Sequence, residues 1–130
     1  MVDAIPLPLF DRLADQLLSM GVKVLMIKAG HRGAYLRTGK IADLNSTTSL
    51  RLPADNWSNR KLWIDPIPAD PDRMKNACGA GDCAVAGFLT ALLKGAEIEN
   101  AARYAMRAGR DSLYGIDALS GLSDWNEMTS

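Results

Sequence analysis

Two glycines and a carboxylate stand at the entrance of a predicted helix. Gly79-Ala80-Gly81-Asp82 is followed by an apolar run from Cys83 to Leu93, whose length and composition are typical of a helix. Small residues at a helix entrance let backbone N–H groups converge, and the first N–H groups of a helix have no partner inside it. This end of a helix attracts anions, and Asp82 beside it could accept a proton. Phosphoryl transfer to a hydroxyl is the chemistry that uses an anion cradle next to a base.

The same residues also have a purely structural interpretation. Aspartate is a common cap at the start of a helix, and glycines before a helix are common turn residues. The run that follows is apolar on nearly all sides, and a helix of that kind is expected to be buried. A buried helix whose N-terminus opens toward a cleft is a suitable place for a binding site, so the functional interpretation is favoured.

Bulk composition predicts one ordinary globular domain over residues 1–130. The 15 basic and 15 acidic side chains cancel, which argues against nucleic acid or an anionic membrane as a partner. No apolar run approaches the ~20 residues that span a bilayer, and no secretory signal is evident, so we expect a cytoplasmic protein. Two cysteines and one histidine are too few for a disulfide scaffold or a zinc site. Which residues would bind any other metal is unknown from the sequence.

The first half of the chain is predicted to combine one helix with short strands. The helix runs from Pro8 to about Met20, and an apolar run then predicts a strand at Val22–Lys28 that is buried on both faces. A turn at 29–33 leads to an antiparallel strand at 34–37. A weak third strand is predicted at 41–44, a polar loop at 45–60 and a short strand at 62–64. The buried stripe of the helix is predicted to be Phe10, Leu13, Leu17 and Met20.

The second half is predicted to be mostly helical. A helix at about Glu97–Leu113 has one face of small residues, which would allow close approach to Ala84 and Gly87 of the preceding helix. Ser123 is predicted to cap a last short helix. Helices and strands in this order favour an α/β layer. Another face of the 97–113 helix carries charged residues four positions apart: Glu99, Arg103, Arg107 and Asp111. It is interpreted as a solvated face with i, i+4 ion pairs, although its arginines could contact a phosphate.

Several single residues have both a functional and a structural interpretation. His31 lies in the predicted turn and is interpreted as exposed rather than as a ligand-binding group. Cys78 and Cys83 flank the glycines but have no base partner visible in the sequence, so they are interpreted as small buried side chains. Trp57 and Trp63 are expected to anchor the polar loop by burial rather than to stack on a ligand.

The order of these motifs resembles the ribokinase-like, or PfkB-type, carbohydrate kinases. Asn76 to Asp82, with the helix continuing through Gly87-Phe88-Leu89 to Lys94-Gly95, is similar to that family's C-terminal signature. Val24 to Leu36, with Lys28-Ala29-Gly30 and Arg32-Gly33, is similar to the strand and turn that flank the nucleotide. The resemblance covers nearly the whole chain. It implies the C-terminal, nucleotide-side part of a three-layer α/β/α fold, with a partial sheet and packed helices.

The resemblance also implies roles for single residues. Asp82 takes the place of the base that accepts the proton of the substrate hydroxyl, and the backbone of Gly79, Ala80 and Gly81 takes the place of the anion hole. ATP and Mg²⁺ are the implied cofactors, and a sugar-like hydroxyl compound is the implied substrate. The residues implied on the nucleotide side are Lys28, Gly30, Gly33 and Met106.

The sequence also departs from the family pattern. Asn76, Ala77 and Cys78 replace an acidic residue and two threonines, which removes a carboxylate from a monovalent-cation site that many members have. Met106 stands where the family often has asparagine. The family's N-terminal half, with most of the sugar pocket, has no counterpart before Val22. We therefore expect a homo-oligomer or a partner chain that supplies this half. A non-catalytic nucleotide- or phosphate-binding module and an inert structural piece are the alternatives.

Overall fold

The computed structural model describes residues 1–129 and divides them into two compact units. The first unit spans Met1–Pro66, and the second begins at Ile67. The first unit contains a small sheet with one long helix, and the second unit contains two long helices. The single domain over residues 1–130 stays a prediction.

The sheet of the first unit has three antiparallel strands. They are β1 at Val24–Lys28, β2 at Ala34–Thr38 and β3 at Lys61–Ile64, in the order β1-β2-β3. The predicted hairpin and the short strand near Leu62 are thereby confirmed. The prediction that the first strand is buried on both faces is wrong, because β1 lies at an edge of the sheet and its apolar side chains are half-buried.

The predicted weak strand at residues 41–44 is wrong. Helix α2 forms at Ile41–Thr47, and the short helix α3 follows at Ala54–Trp57, within the segment predicted to be a loop. Ile41 and Leu44 are three residues apart, so a helix places both on one face, and Ile41 is fully buried there. The expected anchoring by tryptophan is confirmed, because Trp57 is fully buried and its carbonyl accepts a hydrogen bond from the Thr38 hydroxyl.

Helix α1 spans Leu7–Ser19 and packs on the sheet through a narrower stripe than predicted. Phe10 and Ala14 are buried, whereas Leu13 is 43% exposed and Met20 is 78% exposed. Phe10 and Ala14 are four residues apart, so a helix places both on the face that contacts the sheet. Leu13 and Met20 lie outside this contact. Phe10 supplies the centre of this small core, with its ring centroid 5.8 Å from that of Tyr35 and 5.4 Å from that of Trp63.

A charged cluster joins α1 to strands β2 and β3 of the same sheet. The Tyr35 hydroxyl donates a hydrogen bond to Asp11, Lys61 Nζ lies 2.9 Å from Asp11 Oδ1, and Arg37 donates to the Tyr35 hydroxyl and to Asp15. The hydrogen bond from Tyr35, followed by that from Lys61, lowers the pKa of the Asp11 carboxyl below its usual value. The ionised form of Asp11 is therefore favoured by folding.

Stability is expected to depend on pH through Asp11. A carboxyl whose pKa is lowered by folding stabilises the protein above its unfolded-state pKa of about 3.9, and this stabilisation is lost as the pH falls through the folded-state value. Urea midpoints between pH 5 and pH 2 should therefore fall less steeply in Asp11→Asn than in the parent protein. Asp55→Asn is the control, because Asp55 is an exposed carboxylate on α3. This variant should keep the parental slope. An unchanged slope in Asp11→Asn would contradict the assignment.

The second unit is built on two closely packed helices. Helix α4 spans Ala80–Leu93 and α5 spans Ile98–Ser112. A Cβ placed on Gly87 would lie 2.9 Å from Ala108 Cβ, and one on Gly109 would lie 3.3 Å from Ala84 Cβ. The small-residue interface predicted for Ala84 and Gly87 is thereby confirmed.

The prediction that the apolar helix is buried all round is wrong. Leu89 is 48% exposed and Leu93 is 72% exposed, whereas Phe88 and Leu92, on the side of α4 that also carries Ala84 and Ala91, are buried. Contact with α5 covers only one face of α4, so the side chains on the opposite face keep their exposure. No helix in residues 1–129 is long and apolar enough to cross a membrane.

The last helix, α6, spans Trp125–Thr129, and its cap differs from the prediction. Asp124 Oδ1 accepts the Glu127 N–H at 2.9 Å, and Glu127 Oε2 accepts the Asp124 N–H at 3.2 Å, which is a reciprocal capping box. The predicted cap, Ser123, instead donates its hydroxyl to Asp111 Oδ2 at 3.3 Å. The aspartate lies at the N-cap position of α6, and Ser123 lies one residue before it.

Candidate functional site

The glycine turn, residues 79–82, is the start of helix α4. Gly79 has φ +85° and occupies the N-cap position, and Asp82 is the third helical residue, with an exposed side chain. No side chain caps this helix in the described part of the chain. The N–H groups of Gly81 and Asp82 belong to the first turn, where a helix offers no internal acceptor. The turn therefore combines uncapped backbone donors with an accessible carboxylate.

Gly79 is required by its neighbours as well as by its backbone. A Cβ at Gly79 would lie 2.7 Å from Ala118 Cβ, a distance that real contacts do not reach. Its positive φ is itself disfavoured for residues with a side chain. The interpretation from the sequence was that a glycine here lets an anion reach the backbone. The structure adds a packing reason, which is the contact with Ala118, 39 positions further along the chain.

Asn76 and the two cysteines surround this turn. Asn76 Oδ1 accepts the Cys78 N–H at 2.9 Å, and Asn76 Nδ2 donates to the Ile116 carbonyl at 3.3 Å. Cys83 is buried, as predicted, and its thiol donates to the Ala118 carbonyl at 3.1 Å. Cys78 is exposed, so its prediction as a buried residue is wrong. It precedes the first residue of α4 and is therefore not part of the helix face that is buried.

The charged side of α5 is more buried than predicted. Asp111 is a buried residue, with Arg107 Nε 3.5 Å from its Oδ2 and Arg110 Nη2 2.6 Å from its Oδ1. The i, i+4 pair of Arg107 with Asp111 is confirmed, but this end of the face is not solvated. Arg107 also donates to the Met128 carbonyl at 2.9 Å. Arg107 therefore joins the end of α5 to helix α6, and Arg110 pairs with Asp111 within α5. Met106 on α5 is half-buried.

The second predicted site segment lies in the first unit, after β1. Lys28 is exposed at the end of the strand. Gly30 has φ +57° with no heavy atom within 4 Å of a Cβ built on it, so its surroundings are open. Gly33 has φ +96°, and a Cβ there would lie 1.9 Å from the Ile64 carbonyl oxygen. The two glycines therefore differ: Gly30 leaves open space, whereas Gly33 allows β3 to approach.

A cavity of about 360 Å³ lies beside this segment within the first unit. Arg32 organises this cavity through long-range contacts that were not predicted from the sequence. Arg32 Nη1 donates to the carbonyls of Val2 and Ile5 at 2.7 and 2.8 Å, and its guanidinium lies 5.3 Å from the Trp63 ring centroid. These partners are about 30 positions away in either direction, so no local pattern could reveal them. The cavity is lined by Leu7, His31, Arg32, Trp63, Asp65 and Pro66.

His31 lies at the rim of this cavity. Its side chain is exposed, as predicted, and Nε2 lies 2.6 Å from Asp3 Oδ1. In residues 1–129, no group of three or more His, Cys, Asp or Glu side chains is placed to hold a metal ion. We therefore assign no residue of this chain to a metal.

Comparison with known proteins gives the family. The model of the pfkB family of carbohydrate kinases matches residues 10–113, which is most of the chain. The chain belongs to this family. Both Gly30–Gly33 and the glycine turn lie inside the matched range, as do Asp82 and Met106. The family resemblance predicted from the sequence is thereby confirmed.

Solved structures give the corresponding fold. Arabidopsis thaliana ribokinase, complexed with ribose and ATP, is 19% identical with a TM-score of 0.73, over 95% of this chain and 33% of that one. Thermotoga maritima ribokinase is 21% identical with a TM-score of 0.65, over 91% and 32%. Vibrio cholerae fructokinase, with fructose, ADP and calcium bound, is 17% identical with a TM-score of 0.61, over 87% and 32%.

These matches show a mixed α/β structure that corresponds to part of the ribokinase fold. The three-stranded antiparallel sheet and the helices described above are that part. The chain spans about a third of the length of the solved structures it matches. The roles of Asp82, the glycines, Lys28 and Met106 are not tested by these matches and stay predictions.

Proposed function

We propose that this chain contributes the phosphoryl-transfer part of an ATP-dependent carbohydrate kinase. Asp82 acts as the general base, and the backbone of Gly79, Ala80 and Gly81 forms the anion hole. The observation that carries this proposal is the uncapped start of α4, with left-handed Gly79 and the exposed carboxylate of Asp82 three residues later. Membership of the carbohydrate kinase family supports a sugar-like hydroxyl compound as the acceptor.

The proposed step needs only positioning and charge stabilisation from these residues. The hydroxyl oxygen of the sugar attacks the terminal phosphorus of ATP, the bond from that phosphorus to the bridging oxygen breaks, and ADP leaves. Asp82 accepts the hydroxyl proton as the new P–O bond forms. The N–H groups at the start of α4 face the charge that develops on the transferring oxygens, which is the largest contribution such a site can make.

The nucleotide side is assigned to Lys28, Gly30, Gly33 and Met106. Lys28 is exposed and the space around Gly30 is open, so both are accessible to an anionic ligand. Gly33 would serve by letting the turn close against β3. ATP fits the donor set at the start of α4, and Mg²⁺ would accompany ATP as the ion that neutralises its phosphates. We assign no protein ligand to that ion.

The remaining proposals concern the whole molecule. We propose that residues 1–130 form one domain that corresponds to the C-terminal, nucleotide-side part of a three-layer α/β/α kinase. Most of the sugar pocket would then come from polypeptide outside these residues. We propose that the chain forms a homo-oligomer or binds a partner that supplies this missing half. The absence of a membrane-spanning helix from residues 1–129 and the balanced charge are compatible with the cytoplasmic location that we propose.

A non-catalytic nucleotide- or phosphate-binding module is the second candidate. The observation that favours it is the uncapped start of α4, because its backbone donors can hold a phosphate group without any contribution from Asp82. Under this candidate, the start of α4 binds phosphate groups and Asp82 has no part in chemistry. The two candidates make different predictions for substitution of Asp82, because only the kinase needs its carboxylate to accept a proton.

Binding of ATP is the first test of both candidates. We expect saturable binding of magnesium ATP in calorimetric titration of the 130-residue chain. Gly81→Asp should weaken it at least about tenfold, because a carboxylate at the anion cradle repels the phosphates and cancels the favourable helix terminus. Ala86→Asp is the matched control, since it places the same charge on an exposed position of α4 further from the turn.

Two results would count against the proposal. The first is no binding by a sample whose circular dichroism shows native helix content. The second is an equal loss of affinity in Ala86→Asp and Gly81→Asp, which would indicate a general charge effect rather than a site at the turn.

A further inference from the structure

The loop at residues 115–121, here called the closing loop, is fixed by its own hydrogen bonds. Asp117 Oδ1 accepts the N–H groups of Leu119 at 2.9 Å and Ser120 at 2.8 Å. Ser120 Oγ in turn accepts the Ile116 N–H at 3.1 Å. Bonds from Leu119 and then from Ser120 hold the pKa of the Asp117 carboxyl below its usual value. A loop with this internal pairing has one preferred conformation rather than many.

Two glycines close the loop against the end of α5. A Cβ on Gly115 would lie 2.4 Å from the Gly121 nitrogen, and a Cβ on Gly121 would lie 2.3 Å from the Asp111 carbonyl oxygen. Backbone atoms at such distances leave no room for a side chain at either position. The ends of the closing loop are therefore fixed in place as well as its interior.

The closing loop contacts the glycine turn through Ala118. Ala118 Cβ occupies the space that a Cβ on Gly79 would need, and its carbonyl accepts the Cys83 thiol at 3.1 Å. Asn76 makes a second contact by donating to the Ile116 carbonyl. One residue of the loop thus touches both the N-cap residue of α4 and a residue in its first turn. These two residues bound the segment whose N–H groups form the proposed anion hole.

We propose that Asp117 is a positioning residue for the anion hole. It folds the closing loop so that Ala118 braces Gly79 and Cys83, which fixes the direction of the N–H groups between them. This inference rests on the proposed function of the glycine turn as a phosphate site. Asp117 itself touches no substrate in this scheme, and the two hydrogen bonds that its side chain accepts stay within the loop.

Magnesium ATP affinity of three variants tests this role. Asp117→Ala removes the acceptor, and the dissociation constant should rise about tenfold, within the range seen when residues that couple through a network are substituted. Asp117→Asn keeps a side-chain oxygen that can accept the same N–H groups, so its affinity should be within threefold of the parent value. Asp124→Ala is the matched control, because Asp124 also accepts a backbone N–H in the second unit but caps α6 instead.

Amide hydrogen exchange supplies a readout that does not need a ligand. The Cys83 N–H donates to the Gly79 carbonyl at 2.8 Å, which is the first hydrogen bond of α4. Its exchange should accelerate about tenfold in Asp117→Ala and stay unchanged in Asp124→Ala, because only the first variant releases the brace on the turn. Thermal unfolding of both variants would show whether their losses of stability are comparable.

The results separate this inference from the proposed function. Unchanged ATP affinity in a folded Asp117→Ala protein, or an equal loss in Asp124→Ala, would overturn the positioning role while leaving the phosphate site intact. If the parent protein binds no ATP, the proposed function fails. The exchange of the Cys83 amide then tests only whether Asp117 braces the glycine turn through Ala118. Unchanged exchange in Asp117→Ala would overturn that bracing.

Discussion

Asp82→Asn is expected to reduce phosphoryl transfer by at least about 100-fold, the scale on which a positioned general base contributes. Asparagine has the same shape as aspartate but cannot accept the proton of the attacking hydroxyl. The side chain is exposed at the third position of α4, so the substitution should cost little stability. Affinity for magnesium ATP should stay within about threefold, because the backbone donors of the turn are unchanged.

The measurement is ADP formation with ribose or fructose as acceptor, together with calorimetric titration of ATP. Asp55→Asn is the matched control, since Asp55 is also an exposed aspartate in the first turn of a helix, and it should keep parental rates. Equal transfer by Asp82→Asn and the parent would show that Asp82 is not the base. A parent that binds ATP but transfers nothing would favour the binding module, for which Asp82→Asn should only strengthen anion binding slightly.

Gly33→Ala is expected to lower the free energy of unfolding by more than about 3 kcal/mol, which is the range of severe backbone clashes and strain. The new Cβ would lie 1.9 Å from the Ile64 carbonyl oxygen and 3.1 Å from the Pro66 nitrogen, and both are backbone atoms that cannot rotate away. The φ of +96° adds strain for any residue with a side chain. Relief of the clash would require β3 to move away from the turn.

Gly30→Ala is the matched control for this substitution. Gly30 also has positive φ, at +57°, but nothing lies within 4 Å of its added Cβ. It should cost only about 1–2 kcal/mol, the penalty for a left-handed backbone alone. Urea denaturation of both variants measures the difference. Similar costs at the two positions would mean that the contact between Gly33 and Ile64 relaxes easily, contrary to the packing described here.

Much of the fold followed from periodicity, and the errors have a common cause. The hairpin and helices α4 and α5 were predicted because their apolar and small residues repeat at strand or helix spacing over many positions. The segment at 41–44 has only two large apolar residues, Ile41 and Leu44, and so few positions do not distinguish strand from helix. The exposure of Leu89 and Leu93 was missed because hydrophobicity alone does not say which face a neighbour covers.

The candidate site was predictable only in its local part. Gly79, Gly81 and Asp82 lie within four successive positions of the sequence, so their arrangement at a helix start could be inferred directly. The support from Ala118 and Asp117 could not, because it depends on a contact between segments more than 30 positions apart. The contacts of Arg32 with Val2 and Ile5, which are 30 and 27 positions away, could not be inferred either. Long-range contacts of this kind have no signature in a single sequence.

The position of β1 at the edge of its sheet has a consequence for solubility. Its outer side has no neighbouring strand in the part of the chain that the structure describes, and a row of unpaired backbone groups on an apolar strand is a template for self-association. Lys28 ends that strand as its one exposed residue, and a lysine at such an edge opposes pairing with another chain. A Lys28 variant that loses nucleotide binding must therefore also be shown to remain unaggregated, because either loss would look the same in a titration.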